Sequence, residues 1–158
     1  MLAPMSKEIV FAVEKFSDVY DEAGNLLNLH WQEIAKNKEL LRLNPDAELY
    51  KSIENDLMLV TARSGGALIG YFLWIFRTHP HYKHVLVAEE DLHFLLKEYR
   101  LGLAGYKFIK AACRSAINRG AKLLVMREKI GNEHPAIMKR LNFIPTDVVY
   151  THSVESPT

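Results

Sequence analysis

Two short stretches hold the residues best suited to chemistry. The first is EYRLGLAGYKF, residues 98–108, where Gly102, Ala104 and Gly105 crowd together just after Arg100. An apolar run ends upstream and a helical pattern starts downstream, so the small residues stand at a strand-to-helix junction. The start of a helix presents backbone N–H groups without intrahelical partners and carries partial positive charge. Small residues there let an anion approach the backbone, and Arg100 adds a forked, permanently charged donor. That pattern suits a phosphate or diphosphate; a tight turn packed against a neighbour is the plainer alternative. The second stretch is the acidic run Glu89, Glu90 and Asp91, set inside an apolar segment. A carboxylate beside apolar neighbours can have its pKa raised into the range of a general base. Strand alternation puts Glu89, Asp91, His93 and Leu95 on one face and Glu90, Leu92 and Phe94 on the other, an order that a bulge would swap. The alternative is that these acids face solvent at a sheet end or pair with Lys or Arg.

Other polar groups carry two readings each. His30 and Glu33 on the first helical segment either touch a substrate or line a surface, with Trp31 in the core. His81 and Tyr82 belong to a polar connection that leads into the acidic strand and borders the cleft on that account. His79, His81 and His84 have no zinc-like spacing and no cysteine to help, so no metal is expected. Lys107, Lys110, Arg114 and Arg119 make one helix basic, which suits a solvated face near phosphates better than DNA readout. Cys113 falls on that helix's apolar stripe and is expected to be packed, not nucleophilic.

The elements that must position these groups follow from periodicity. Residues 9–16 read as a strand. A helix capped by Ser17 or Asp18 follows, with Val19, Ala23, Leu27, Trp31, Ile34 and Ala35 as its stripe. A short helix is expected from Pro45 or Asp46 to about Ile53. Strands at 57–62 and 67–76 flank RSGG, a hairpin signal. HPHYKH (79–84) forms a second connection, leading into a strand at 85–96. From Leu103 the pattern is helical, with Phe108, Ile109, Ala112, Cys113 and Ala116 in one stripe, and Gly120 just past its end. A strand at 122–126, a helix at 134–141 and a last strand at 146–154 complete the series. This order predicts an α/β chain, a mixed sheet with helices on its faces, in one domain over 1–158.

Composition narrows the function classes. The chain has 158 residues, 49% hydrophobic and 25% charged, as in ordinary soluble domains. The formal net charge is +1, so no global field argues for nucleic acid or a membrane surface. One cysteine cannot make an intrachain disulfide, which fits a reducing compartment. No signal peptide is evident, and the most apolar window, 67–76, is about half of what a bilayer crossing needs. A cytoplasmic protein is expected.

Two familiar phosphate motifs are missing: there is no Gly-x-x-x-x-Gly-Lys-Ser/Thr, and Gly102 with Gly105 does not complete Gly-x-Gly-x-x-Gly. The stretch instead resembles motif A of the GNAT superfamily of N-acetyltransferases, (Gln/Arg)-x-x-Gly-x-(Gly/Ala). Arg100 and Gly105 match its ends; Leu103 stands where the middle glycine is expected, and Gly102 lies one residue early. Residues 98–126 followed by HPAIMKRLNFIPTDVVY look like the family's second half, with RLNF where Leu-Gly-Phe is common. HWQEIAKNKELLRLNPDAELY, GYFLWIF and HPHYKHVLVAEEDLHFL resemble a small subgroup familiar from bacteriophage and prophage genomes.

The resemblance implies a GNAT-like fold with a central, mostly antiparallel twisted sheet flanked by helices. It implies transfer of an acetyl group from acetyl-CoA to a primary amine by direct attack on the thioester, without a metal. Arg100, Leu101, Gly102, Leu103, Ala104 and Gly105 would cradle the CoA diphosphate. Phe94, Leu95 and Leu96 would lie along the cofactor, with a backbone N–H near Leu95 facing the thioester oxygen. Glu89 stands where some members carry a general base, with Glu90 and Asp91 as neighbours. Met138 occupies the place of the usual Tyr general acid, which leaves Tyr150 and His134 as candidates. His30, Trp31, Glu33, His81 and Tyr82 are the candidate acceptor contacts. The partner is an amine, small molecule or protein, with no nucleic acid or membrane and a homodimer as a possible assembly. The Met138 departure leaves an alternative, a catalytically degenerate GNAT-fold module that binds CoA or another protein. A nucleic-acid-binding domain using the basic helix is a more distant one.

Overall fold

The computed structural model describes residues 8–154. Its sheet has five strands in chain order, β1 (Ile9–Glu14), β2 (Leu57–Ser64), β3 (Ala67–His79), β4 (Tyr82–Leu95) and β5 (Leu123–Val125). The first four pair antiparallel and β5 joins β4 in parallel. A parallel neighbour needs a crossover, which α3 (Ala104–Asn118) supplies. The other helices are α1 (Phe16–Ile34), α2 (Ala47–Ser52) and α4 (Pro135–Arg140), with single 3-10 turns at Glu54–Asp56 and Lys97–Tyr99. The mixed α/β class read from the sequence is therefore the observed one.

Both faces of the sheet are covered. On one, Phe108, Ile109, Ala112, Cys113 and Ala116 of α3 pack on Val60, Phe72, Trp74 and Ala88. Trp74 is fully buried, and its indole N–H donates to Ala112 O at 3.0 Å, so no polar atom is stranded there. On the other face, Val19 and Leu26 of α1 join Leu57, Leu59, Tyr71, Leu73 and Phe94. The β2–β3 turn is Gly65–Gly66, both at positive φ (57° and 85°), the conformation a two-residue hairpin requires. Asp46 caps α2 by accepting the Leu49 N–H at 2.9 Å.

Three expectations are corrected. The polar connection at 79–84 shrinks to a tight turn, because His79 and Tyr82 are already paired across the β3–β4 ladder. The inner stripe of α1 runs through Val19, Leu26 and His30, not through Trp31. Steps of 3.6 residues from Val19 reach 26 and 30, and His30 can go inside because Tyr71 gives its ring a polar partner. Trp31 lies to one side, donating its indole N–H to Leu41 O at 3.0 Å. Residues 146–154 form no strand, since no ladder reaches them; Val148, Val149 and Tyr150 stay exposed.

Gly70 marks the tightest approach inside the sheet. A Cβ there would meet Phe94 O at 2.7 Å and Leu95 Cα at 3.2 Å, both backbone atoms that cannot yield cheaply. Gly70→Ala should therefore destabilise the fold by about 1–3 kcal/mol, a fall in Tm of roughly 3–10 °C by calorimetry. Wild-type stability in that variant would show that the contact is relieved without cost.

Candidate active site

The site begins with an interruption in β4. Leu73 pairs with Leu92 but Trp74 pairs with Glu90, so Asp91 is an extra residue, a β-bulge. The bulge swaps the faces expected from plain alternation. Glu90, His93 and Leu95 now lie on the α3 side with Trp74 and Phe72, whereas Glu89, Leu92 and Phe94 lie on the α1 side. The β4–β5 ladder ends at Glu89↔Val125. Beyond it β4 runs on through Leu95 while the chain after β5 turns away. The wedge between them opens into a cavity of about 370 Å³. Glu90, Asp91, His93, Phe94 and Leu95 line it from β4, and His30 and Glu33 from α1. Gly105, Phe108 and Ile109 of α3 form another wall, facing Arg127, Glu128 and His134.

Backbone polarity in the wedge follows from the ladder. Leu96 N–H donates to Ile69 O at 2.8 Å, toward β3. Antiparallel alternation then turns the N–H and C=O of Leu95 to the opposite edge, where β5 has already left. The Leu95 carbonyl there accepts Arg100 Nε at 2.6 Å. Next to this edge, α3 starts with no side-chain cap and no acid in its first turn. Gly102 (φ 64°) sets the turn into it. A Cβ on Gly105 would meet nothing within 4 Å, so the space before the helix is open.

The acids of the run have different partners. Glu89 bonds Arg77 at 2.8 Å and also pairs with Arg127. Burial pushes its carboxyl up, but those two guanidinium contacts together hold it below the ordinary range. Asp91, at the rim, accepts the Tyr50 hydroxyl at 2.7 Å. Surrounding protein and the charges of Glu90 and Glu89 outweigh that bond and raise its carboxyl. Glu90 is the buried one, 7% exposed. Its Oε1 lies 2.9 Å from His93 Nδ1, and its Oε2 accepts the Arg127 backbone N–H at 3.3 Å, bridging the parted strands.

On the α1 side, Arg100 makes a forked ion pair with Glu33 (2.6 and 2.8 Å), which lowers the Glu33 carboxyl. The same guanidinium lies over the Phe94 ring. His30 stacks on Phe94 and its Nδ1 is 2.8 Å from the Tyr71 hydroxyl. Loss of water, then the neighbouring His93, push the His30 imidazole down to about 4, against the pull of Glu90 and Glu33. Burial raises Tyr71 and, with Asp91, Tyr50. Burial also pushes the thiol of Cys113, one turn beyond Ile109 on the α3 stripe and not among the residues lining the cavity, up to about 11.

Of the residues singled out in the sequence, the structure brings His30, Glu33, Glu90, Asp91, Phe94, Leu95, Arg100 and Gly105 to one cavity. Leu101, Gly102 and Leu103 form the exposed turn before α3, Ala104 opens it, and Leu96 packs between the two cores. Glu89 sits behind the cavity wall in its arginine pairs, and Trp31 lies outside it. His81 and Tyr82 are at the far tip of the β3–β4 hairpin, the length of β4 away from Leu95, and Tyr150 is 89% exposed. His134 lines the cavity with Nδ1 3.3 Å from Glu128 Oε1. Met138 packs against the α3-side core. Arg119 is held by the Leu57 carbonyl at 2.6 Å instead of facing solvent freely. Sequence reasoning missed Tyr50, Tyr71, Arg127 and Glu128. It also missed the Glu90–His93 pairing, since residues three apart in a regular strand face opposite ways. Among the described residues no group of three or more His, Cys, Asp or Glu side chains is placed to hold a metal, and no helix is long and apolar enough to cross a membrane.

No protein-family model and no curated protein sequence matches the chain. Solved structures do resemble it. A ribosomal-protein-alanine N-acetyltransferase from Brucella melitensis biovar Abortus 2308 superposes with a TM-score of 0.71 at 16% identity, covering 95% of this chain and 99% of that one. The aminoglycoside acetyltransferase meta-AAC0020, from an uncultured soil metagenomic sample and in complex with sisomicin, gives 0.68 at 12% identity over 95% and 97%. The aminoglycoside N-acetyltransferase AAC(6')-Iy in complex with CoA gives 0.64 at 17% identity over 98% and 100%. The fold is thus that of GNAT acetyltransferases, a likeness carried by shape at low identity.

The buried imidazole of His30 makes stability depend on pH. Held neutral in the fold down to about 4 and free to charge near 6.5 when unfolded, it leaves the unfolded chain binding more protons between those values. Stability therefore rises with pH across that window and is lost as pH falls through it, by on the order of 3 kcal/mol. Urea unfolding between pH 7 and 4.5 should show this slope, and His30→Gln should flatten it. An equally steep slope in the variant would remove His30 as the cause.

Proposed function

We propose that this protein is an acetyl-CoA-dependent N-acetyltransferase that transfers an acetyl group to a primary amine by direct attack on the thioester. One observation carries this: β4 and β5 part directly in front of the start of α3, which has no side-chain cap, so the open slot leads to the helix's first backbone amides. The turn Leu101–Leu103 with Ala104 and Gly105 would receive the diphosphate of CoA. Phe94, Leu95 and Leu96 would flank the thioester arm, whose carbonyl oxygen would accept the Leu95 N–H. In this structure Arg100 spends its guanidinium on Glu33 and Leu95, so its part in the cradle is to brace the end of β4 against α1. The fold likeness to AAC(6')-Iy in complex with CoA, and to meta-AAC0020 in complex with sisomicin, supports both halves of the reaction.

Among the three acids, Glu90 is the one buried at the cavity beside His93, whereas Glu89 is held by two arginines behind the wall and Asp91 by Tyr50 at the rim. His134 is the candidate donor to the departing sulfur. Glu33, Glu90, Asp91 and Glu128 around the cavity favour a cationic amine, small or on a protein. The proposal extends to one domain over 1–158, a cytoplasmic homodimer without a nucleic-acid partner, and kinship with the phage and prophage subgroup. Balanced charge and a sole buried cysteine accord with it. A non-catalytic CoA-binding or protein-interaction module is the second reading; it rests on Met138 alone, whose side chain offers no hydroxyl, and the likeness to acetyltransferases does not favour it.

Free-thiol release from acetyl-CoA with a panel of amines tests the proposal; stabilisation by CoA with no release would select the second reading. Gly105→Asp separates the cradle from the fold. The side chain has open space, and an acid in the first turn suits the helix dipole, so Tm should hold. Its charge would repel an approaching diphosphate, and CoA affinity by calorimetry should fall about tenfold, roughly 1.4 kcal/mol. Unchanged affinity would move the diphosphate elsewhere.

A further inference from the structure

We infer that His93 takes the proton from the acceptor amine, with Glu90 as its positioning residue, because Glu90 Oε1 lies 2.9 Å from His93 Nδ1 inside the cavity where β4 and β5 part. This rests on the transferase reading above. Glu90 is the one acid of the run whose charge is turned inward, 7% exposed, and both its oxygens are engaged. With Oε2 accepting the Arg127 amide, Oε1 receives the Nδ1–H of His93. That fixes the tautomer in which Nε2 is a bare acceptor. The ring is steadied by stacking on Phe72, centroids 5.3 Å apart, and its side chain is a quarter exposed. The carboxylate–imidazole order is that of a general base held by an orienting acid.

The surrounding groups fit this role. From α1 come His30 and Glu33, the first kept neutral and tied to Tyr71, the second neutralised by Arg100. Beyond β5, Arg127 is committed to Glu89 and Glu128 to His134. Asp91 at the rim is bonded to Tyr50. His134 shares the carboxylate–imidazole arrangement at 3.3 Å, but His93, 2.9 Å from the more deeply buried carboxylate, is the more firmly oriented ring.

The step balances. An ammonium gives one proton to Nε2, and the neutral nitrogen attacks the thioester carbon as the C–N bond forms. The C–S bond breaks, the second N–H proton goes to the sulfur, and the imidazolium returns its proton to water.

The test uses the full chain. Thiol release is measured for wild type, His93→Gln and Glu90→Gln from pH 5 to 9, with CoA affinity measured in parallel. His93→Gln should lower kcat about 10²–10⁴-fold with KM and CoA affinity nearly unchanged, and should lose the acid limb of the pH profile. Glu90→Gln should lower kcat less. Its ring ¹⁵N spectrum should show the His93 tautomer shifted away from the Nδ1–H form seen in wild type, which a merely structural carboxylate would not do. Wild-type kcat in His93→Gln overturns the inference alone. Absence of release by the wild type with every amine overturns the transferase reading and this inference with it.

Discussion

A single surplus residue in β4 governs the geometry of this molecule. Asp91 has no partner in the β3–β4 ladder, and its insertion rotates every side chain beyond it by one face. Were Asp91 paired in a regular strand, Glu90 would share the α1 face with Leu92 and Phe94, and His93 would point away from it. With Asp91 bulged out, Glu90 and His93 come together on the α3 side at hydrogen-bond distance. Phe72 and Trp74 lie at their back. The bulge also falls where β5 stops following β4, so the parted edges and the re-aimed side chains meet in one cavity. Bulges beside active sites commonly act in this way, and here the local twist and the chemistry have one origin.

Charge in the cavity is arranged in closed pairs. Arg100 holds Glu33, Arg127 holds Glu89, and His134 faces Glu128. Exposed pairs of this kind contribute little to stability, about 0–1 kcal/mol each. Their effect is positional: each locks a side chain that would otherwise sweep through the slot. Arg100 shows this best, because one guanidinium joins the Leu95 carbonyl, the Glu33 carboxylate and the Phe94 ring, three points from the two elements that bound the cavity. An anion at α3 would then depend mainly on backbone amides, whose direction is set by the helix itself.

Much of the fold was legible because its periodicities are strong. The α3 stripe, the RSGG turn, the Asp46 cap and the order of strands and helices appear where spacing places them. The position of the strand-to-helix junction at Arg100–Gly105 was legible for the same reason, since an apolar run ends and a helical stripe begins there. What the sequence concealed depends on tertiary partners. His30 goes inside and Trp31 stays out because Tyr71, 41 residues along the chain, satisfies the imidazole. Glu89 was a reasonable base on spacing, but two arginines distant in sequence claim it. The bulge has no local signature in VAEEDLHFL, so the face of each acid could be stated only as alternatives. Residues 146–154 alternate as a strand should, yet a strand exists only where a ladder receives it.

Because the strands lie side by side in the order in which they are made, β1 through β4 form a meander whose pairings close short loops, apart from the helical excursion between β1 and β2. Loop-closure entropy is small for such pairings. The β4–β5 contact differs, since it must wait for the whole of α3 to be built and docked. A chain emerging from the ribosome is thus expected to assemble the β2–β4 scaffold first and to complete the wedge last, so the site matures only after its scaffold is already rigid.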